Sequence, residues 1–276
     1  MKTILIPTED HDAMPAVLQA ARLVARTFDS YMEGIAIRPS VGAYVTVEPV
    51  SSLAISTEFD EDAAKNGREM FEAAMRQHAV PAAQAGTAVY SYGWPRSEPA
   101  DDAFLGSYGR VFDLIVLGRP GRAVESPRMA PLEAALFESG RPALIVPRTP
   151  PKTIGRNVLV SWNGSTEQAH THAFALPLLR LAETVTVLTT EGAMTPGPSG
   201  EQAALHLRRN GVNATAVAVS PGARSPGEAI LDQATERGCD LLVKCAYTQS
   251  RLRQMIFGGA TRHILANANL PVLMAH

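Results

Sequence analysis

The stretch FDLIVLG at residues 112–118 decides the fold, because the chain repeats it as CDLLVKC at residues 239–245. In both places an Asp opens a continuous apolar run, which is typical of a strand buried on both faces of a sheet. A helical stretch and a Pro-led apolar strand follow each copy, at residues 141–147 and 270–276. A repeat of this length is too long for a solenoid unit. The sequence therefore predicts two copies of one small α/β domain.

The openings of the two copies set the domain boundaries. Residues 2–7 and 156–161 are matching apolar strands, each preceding a helical pattern. We place the first domain at residues 1–148, a Pro-rich and therefore stiff linker at 149–155, and the second domain at 156–276. Strands alternate with helices in both domains, which predicts crossover connections and a parallel sheet with helices on both faces.

The composition describes an ordinary globular protein and limits its partners. The formal net charge of −2 gives no electrostatic reason to expect nucleic acid or an anionic membrane as partner. No apolar stretch approaches the roughly 20 residues of a spanning helix, and the amino terminus lacks a secretory pattern. The two cysteines, Cys239 and Cys245, are too far apart on one strand to form a disulfide. We therefore expect a soluble, cytoplasmic protein.

One segment of the first half is unusually long for a connection. Residues 38–58 contain prolines, a glycine and several serines, and we expect a loop there, before a helix over residues 60–78 that is led by acidic residues. Loops of this length tend to be lids, partner-binding elements or mobile segments. A partner- or small-ligand-binding scaffold that uses residues 38–58 is therefore one hypothesis for the function.

The candidate site lies where ligands collect in open parallel sheets, beyond the carboxyl ends of the strands at the point where strand order reverses. In the second half this rule selects the turn at residues 163–165 and the segment 244–261, where a Gly-Gly pair is expected to open a helix. A helix N-terminus is an anion site. The candidate binding residues are Asn163, Gly164, Ser165, Cys245, Thr248, Ser250, Arg251, Gly258, Gly259, Ala260 and Thr261.

These residues resemble those of a tandem universal stress protein, and the resemblance covers nearly the whole chain. Its most specific parts are SRLR at 250–253 and FGGATRHIL at 257–265, with diverged counterparts at 117–120 and 132–142. The resemblance implies two open parallel five-stranded sheets of the adenine nucleotide alpha hydrolase-like kind, packed as a pseudo-dimer.

The family also implies how the two halves pair. Its domains commonly meet through the edge of the last strand, which would set Ala143–Val146 against Val272–Ala275 and cover two sheet edges. Whether two whole chains associate as a homodimer is open.

Some family members bind ATP through a signature of two glycines separated by two residues, then nine residues, then a glycine followed by Ser or Thr. In the second half the first two positions fall on Cys245 and Thr248, Gly258 keeps the third, and Gly259 replaces the Ser or Thr. Asn163 stands at the position of the acidic residue that meets the ribose. Because Thr248 is β-branched, it suits a backbone cradle poorly.

The first half departs from the signature differently. Gly118 and Gly121 keep the first pair, but Pro131 and Leu132 occupy the later positions and Glu9 replaces the Asp. Pro131 has no amide hydrogen to donate to a phosphate. Neither half carries a complete signature, so the resemblance implies a degenerate nucleotide site.

Simpler interpretations of the same residues remain open. Gly258 and Gly259 are explained by a tight turn into a helix, and residues 163–165 by a turn with an N-cap. Lys244 is either a ligand for an anion or a salt-bridged structural residue, and Cys245 is either a redox sensor or a buried, inert thiol.

The sequence offers no support for a metal site or an enzyme. His170 and His172 are two residues apart on a predicted helix and point to different sides. The run Gly106–Gly109 lacks the spacing of a hydrolase nucleophile elbow. We expect a non-enzymatic stress-response protein with an unidentified protein partner, the alternative being a module that senses ATP or AMP through its second domain.

Overall fold

The computed structural model describes residues 1–38, 52–84, 89–246 and 259–276. The chain divides into two units, Met1–Pro150 and Pro151–His276. Among the described helices, none combines the length and apolar character that a membrane span requires.

The first unit alternates strands and helices as the sequence predicts. Its strands are all parallel and lie in the order β3-β2-β1-β4-β5. In chain order the described elements are β1 (Thr3–Thr8), α1 (Met14–Phe28), β2 (Tyr31–Ala36), α2 (Ser52–Gln77), β3 (Ser91–Gly93), α3 (Asp102–Tyr108), β4 (Leu114–Gly118), α4 (Met129–Glu138) and β5 (Ala143–Val146).

The second unit has the same architecture. Its strands are parallel in the order β8-β7-β6-β9-β10, which repeats the topology of the first unit. The described elements are β6 (Asn157–Trp162), α5 (Thr166–Leu179), β7 (Thr184–Thr190), α6 (Gly200–Arg209), β8 (Ala214–Val219), α7 (Pro226–Glu236), β9 (Leu241–Cys245), α8 (Gly259–Asn267) and β10 (Val272–Ala275). The predicted fold class, two similar open five-stranded α/β sheets, is confirmed.

Helices cover both faces of each sheet. Because crossover connections between parallel strands are right-handed, α1 and α2 lie on one face of the first sheet, and α3 and α4 on the other. The same rule places α5 and α6 opposite α7 and α8. The central strands β4 and β9 are buried along their whole length, as the continuous apolar runs of the repeat predict.

Two predicted boundaries in the first unit are wrong. Helix α2 begins at Ser52, so residues 52–58 are helical and the loop predicted over 38–58 is shorter at that end. The acidic residues at 60–62, which suggested a helix start, lie inside the helix. The third strand, predicted over 87–92, is Ser91–Gly93. Residues 39–51 and 85–88 lie outside the described residues.

A carboxylate holds the start of the central strand pair in the second unit. Asp240, which precedes β9, accepts hydrogen bonds from the backbone amides of Gly155 (3.1 Å), Arg156 (3.2 Å) and Asn157 (3.0 Å). These amides belong to the chain entering β6. One side chain therefore joins the amino ends of two strands that are more than 80 residues apart in sequence.

Asp113 plays the same part in the first unit. Its carboxylate accepts from the amides of Lys2 and Thr3, at the start of β1. Burial alone would raise the pKa of Asp113, but the two amides favour the charged form and the pKa is lowered. The Asp that opens each copy of the repeat is thus a structural element of the fold.

Replacing Asp240 by Ala is expected to lower the free energy of unfolding of the second unit by about 1–3 kcal/mol, because three amides lose their acceptor. Urea unfolding followed by tryptophan fluorescence in a Trp94→Phe background measures this, since Trp162 is then the one tryptophan left. Asp232→Ala, which removes an exposed ion pair with Arg224, is the control and is expected to cost less than about 1 kcal/mol. Equal losses for the two variants would contradict the structural role.

Candidate functional site

Both units place a crevice at the point where strand order reverses. That point lies between β1 and β4 in the first unit and between β6 and β9 in the second. The carboxyl ends of these strands are where an open parallel sheet presents a ligand site. In each unit the described part of this edge is occupied by the chain's own side chains.

In the second unit a contact spans the crevice. Asn163 follows β6 and its Nδ2 donates to Sγ of Cys245, the last residue of β9, across 3.8 Å. Both side chains are buried. The predicted site residues Asn163 and Cys245 therefore lie together, but they bind each other.

Gln168 reinforces this contact and was not predicted. It is fully buried in the first turn of α5, and its Oε1 accepts a hydrogen bond from the backbone amide of Cys245 at 2.8 Å. Its Nε2 has no protein partner among the described residues. A glutamine carboxamide thus lies against the position of the first signature glycine.

The capping box at the start of α5 is incomplete, because the Gln168 side chain binds β9 instead of the N-cap amide. Ser165 is the N-cap of α5 and accepts the amide of Gln168, as the turn predicted at 163–165 requires. In α6 and α7 the matching Gln202 and Glu228 reach back to the N-cap amide and complete the box. In α5 that amide goes instead to Oδ1 of Asn163, which leaves the Gln168 side chain for β9.

Gly164 is covered by the chain itself. Its φ is +83°, and a Cβ atom there would lie 2.9 Å from the carbonyl oxygen of Thr195. The amide of Thr195 donates to the Asn163 carbonyl at 2.8 Å, and Trp162 Nε1 donates to the Pro198 carbonyl at 2.8 Å. The loop between β7 and α6 is therefore fixed onto the turn that carries the candidate residues.

The two thiols are not activated. Burial raises the pKa of the Cys245 thiol, and this effect exceeds the opposing influence of Lys244. Burial likewise raises the pKa of Cys239 to about 11. Because the thiolate is the reactive form, these environments favour the inert-thiol interpretation over a redox sensor.

The remaining candidate residues divide between described and undescribed parts of the chain. Gly259, Ala260 and Thr261 form the first turn of α8, and Thr261 Oγ1 donates to the Ala246 carbonyl at 3.2 Å. Thr248, Ser250, Arg251 and Gly258 lie outside the described residues.

A buried histidine lies behind the crevice. His172 packs its ring against Trp162 with 4.8 Å between ring centroids, and its Nε2 has no protein partner in the described chain. Burial, followed by the charge of His206, lowers its pKa from 6.5 to about 4. His170 is exposed, so the two histidines point to different sides as predicted. The described residues hold no group of three or more His, Cys, Asp or Glu that would suit a metal ion.

In the first unit the retained glycines allow a loop to fold closely on itself. A Cβ atom at Gly118 would lie 2.5 Å from Cγ of Pro127, and one at Gly121 would lie 2.4 Å from Oγ of Ser126. The glycine pair retained from the signature is thus covered by residues 126 and 127. Pro131 and Leu132 lie in the first turn of α4.

An ionic cluster closes the same crevice. Arg128 donates from both terminal nitrogens to the Asp102 carboxylate, at 2.9 and 3.0 Å, and from Nε to Glu9. Glu9 and Asp102 expose only 13% and 12% of their side chains. Burial raises the pKa of Glu9 although Arg128 opposes the rise. Glu9, which stands at the position of the signature's acidic residue, is therefore paired with the guanidinium of Arg128.

A groove lies elsewhere in the second unit. It has a volume of about 580 Å³ between α7 and α8, and none of the described candidate site residues lines it. Of its carboxylates, Asp232 is paired with Arg224 and Glu228 completes a capping box. We assign no ligand to it.

Comparison with known proteins identifies the second unit. The Universal stress protein family model matches residues 156–276. This second unit is a universal stress protein domain. A search of curated proteins gave no match.

Solved structures extend the likeness of fold to the whole chain. A universal stress protein from Archaeoglobus fulgidus has a TM-score of 0.71 at 13% identity. The match covers 99% of this chain and 95% of the Archaeoglobus chain. A functionally unknown protein from Pseudomonas aeruginosa has a TM-score of 0.52 at 14% identity. This match covers 100% of this chain and 92% of the Pseudomonas chain. The chain thus carries two universal-stress-type folds in tandem.

The stability of the universal stress domain is expected to fall as the pH drops from about 6.5 to about 4. In that window the unfolded His172 binds a proton and the folded one does not, so the difference at pH 4.5 reaches about 2–3 kcal/mol. Urea unfolding at pH 7.5 and 4.5, in the Trp94→Phe background, measures it. His172→Leu should reduce the difference by that amount, whereas the exposed-site control His170→Gln should not. An unchanged difference in His172→Leu would contradict this assignment.

Arg128→Met is expected to destabilise the first unit by about 2–3 kcal/mol, because it leaves two largely buried carboxylates without their cation. Unfolding monitored by Trp94 fluorescence in a Trp162→Phe background tests this. The control Arg76→Met breaks an exposed ion pair with Glu72 in the same unit and should cost less than about 1 kcal/mol. A loss below 1 kcal/mol for Arg128→Met would show that the cluster adds little.

Proposed function

We propose that this protein is a non-enzymatic, cytoplasmic stress-response protein that works without a bound nucleotide, through contacts with a protein partner. The observation that carries the proposal is the occupation of both crevices by the chain's own side chains. In a nucleotide-binding site of this kind, backbone amides must approach the phosphate oxygens, which requires open glycine positions.

The second unit supports the proposal through neutral contacts. The Asn163–Cys245 contact and the Gln168 carboxamide lie where the strand order reverses. A nucleotide entering here would have to displace buried hydrogen bonds, and each polar group left unpaired costs about 1–3 kcal/mol. The first turn of α8 remains as the part of the signature that still suits an anion.

The first unit supports it through packing and charge. Ser126 and Pro127 cover the glycine pair, and Arg128 engages the carboxylate of Glu9. Nucleotide binding would require the loop that carries these three residues to move away. Both crevices therefore favour a protein whose surfaces, rather than a cofactor, carry the function.

The proposal includes the absence of catalytic activity. The pKa values of both thiols are raised, and His172 is packed against Trp162 with its Nε2 unpaired among the described residues. A nucleophile needs a base within hydrogen-bond reach, and the described crevice residues do not supply such a pair.

Isothermal titration of ATP and of AMP into the full chain is expected to show no saturable heat, corresponding to dissociation constants weaker than about 1 mM. Denaturation of the purified protein should release no nucleotide that mass analysis detects. Circular dichroism of the same sample establishes that the protein is folded.

Saturable binding near one equivalent, or a co-purified nucleotide, would overturn the nucleotide-free proposal. If Gly258→Pro then abolished that binding, the alternative of an ATP- or AMP-sensing second domain would replace it. Binding unchanged by Gly258→Pro would place the nucleotide away from the start of α8.

A further inference from the structure

Strand β8 ends the sheet of the second unit and has one side that faces away from its neighbour. It pairs with β7, and the Val185 amide donates to the Asn213 carbonyl at 2.9 Å at the start of this pairing. The amide and the carbonyl of one strand residue point to the same side, and this side alternates along the strand. The odd-numbered residues of β8 therefore face β7. The backbone groups of Ala214, Ala216 and Ala218 face outward.

The outward side of β8 is open along its centre. At its start, the Ala214 carbonyl accepts from Nη1 of Arg208 at 3.0 Å, and Nη2 of Arg208 donates to Glu201 at 2.7 Å. The amides and carbonyls of Ala216 and Ala218 have no hydrogen-bond partner within the described parts of the chain. Two donors and two acceptors are thus left side by side at one edge.

The first unit protects its corresponding edge strand. β3 has three residues, and residues 81–83 bind its outer side. The Ala83 amide donates to the Tyr92 carbonyl at 2.7 Å, and the Tyr92 amide donates to the Pro81 carbonyl at 3.0 Å. Short length and a covering segment are two of the ways in which natural proteins prevent edge strands from pairing with other chains.

β8 has none of the usual protections of an edge strand. It is six residues long, its sequence ATAVAV contains no charge and no proline, and it pairs with β7 residue by residue without a bulge. Thr215 and Ala218 are exposed, whereas the central strands of the sheet are buried along their whole length. The edge of β8 therefore has the properties of a strand-pairing surface.

A second copy of the same strand is complementary to this edge. In an antiparallel pair with a two-fold axis at Val217, Ala216 of each copy lies opposite Ala218 of the other. Opposite residues of this kind exchange two hydrogen bonds, so the outward groups form four in all. The same rotation sets Val217 opposite its own copy and Thr215 opposite Val219. These cross-strand neighbours are β-branched, and no pair brings like charges together.

We propose that the protein forms a homodimer by antiparallel pairing of β8 with β8 of a second copy. The register that satisfies all four outward groups also places the two-fold axis on Val217, so one operation completes both edges and the association stops at two chains. The interface is small, which is typical of reversible association. It goes beyond the proposed function, and its failure would leave the nucleotide-free proposal unchanged.

Sedimentation equilibrium of the full chain tests the dimer. The wild type is expected to show a reversible monomer–dimer equilibrium with a dissociation constant on the order of 10–100 µM. Ala218→Pro removes the outward amide of each copy, and with it two of the four hydrogen bonds, but leaves the ladder to β7 intact. The dissociation constant should rise at least tenfold. Ala218→Ser keeps that amide and, as the matched control, should dimerise like the wild type. Circular dichroism establishes that each variant is folded.

Disulfide cross-linking tests the register with milder substitutions, in a Cys239→Ser background. Opposite residues at a non-hydrogen-bonded position have Cα atoms about 4.5 Å apart, which a disulfide spans. Val217→Cys should therefore form a covalent dimer on mild oxidation. Thr215→Cys is the matched control on the same face of β8. Its two copies would lie four residues apart, roughly 14 Å, and should not cross-link.

Three results would overturn the inference. The wild type could remain monomeric over the whole concentration range, which would leave the edge of β8 for another protein or for solvent. Ala218→Pro could be folded and dimerise as tightly as the wild type, which would place the interface elsewhere. Thr215→Cys could cross-link as readily as Val217→Cys, which would exclude the two-fold register.

Discussion

The fold of each unit depends on the pairing of its two central parallel strands, β1 with β4 and β6 with β9. These strands come from distant parts of the chain, so nothing local fixes their register. Asp113 and Asp240 supply that constraint, because each binds backbone amides at the amino end of the neighbouring strand. In the second unit, Val158 then pairs with Leu241 and Val160 with Val243. Continued to the carboxyl ends, this register brings Asn163 beside Cys245.

Different interactions fill the crevices of the two units. The second uses neutral groups, Asn163, Gln168 and Cys245, whose contacts depend on geometry and respond little to salt. The first uses Arg128 with two largely buried carboxylates, where attraction is strong only because the groups are removed from water. The same topology thus tolerates either solution, since strands position the crevice and loops decide what fills it.

The sequence predicts the fold far better than it predicts the crevice. The Asp-led apolar repeat reports the buried central strands directly, and the N-cap at Ser165 follows from local turn chemistry. Gln168 marks the limit of the prediction, because the same Ser-x-x-Gln/Glu pattern occurs at the starts of α5, α6 and α7. In α5 alone of these three, Asn163 binds the N-cap amide and the glutamine side chain binds the Cys245 amide on β9. Arg128 lies 119 residues from Glu9, so no local pattern joins them.

Strand alternation gives the two faces of β9 different neighbours. Cys245 projects toward Asn163 on the α5 side, whereas Lys244 projects toward the side covered by α7 and α8. The amide and the side chain of Cys245 are both bound, the amide by Gln168 and the thiol by Asn163. A side chain in place of the signature glycine therefore fills one face of β9 without altering the other, and the sheet needs no rearrangement.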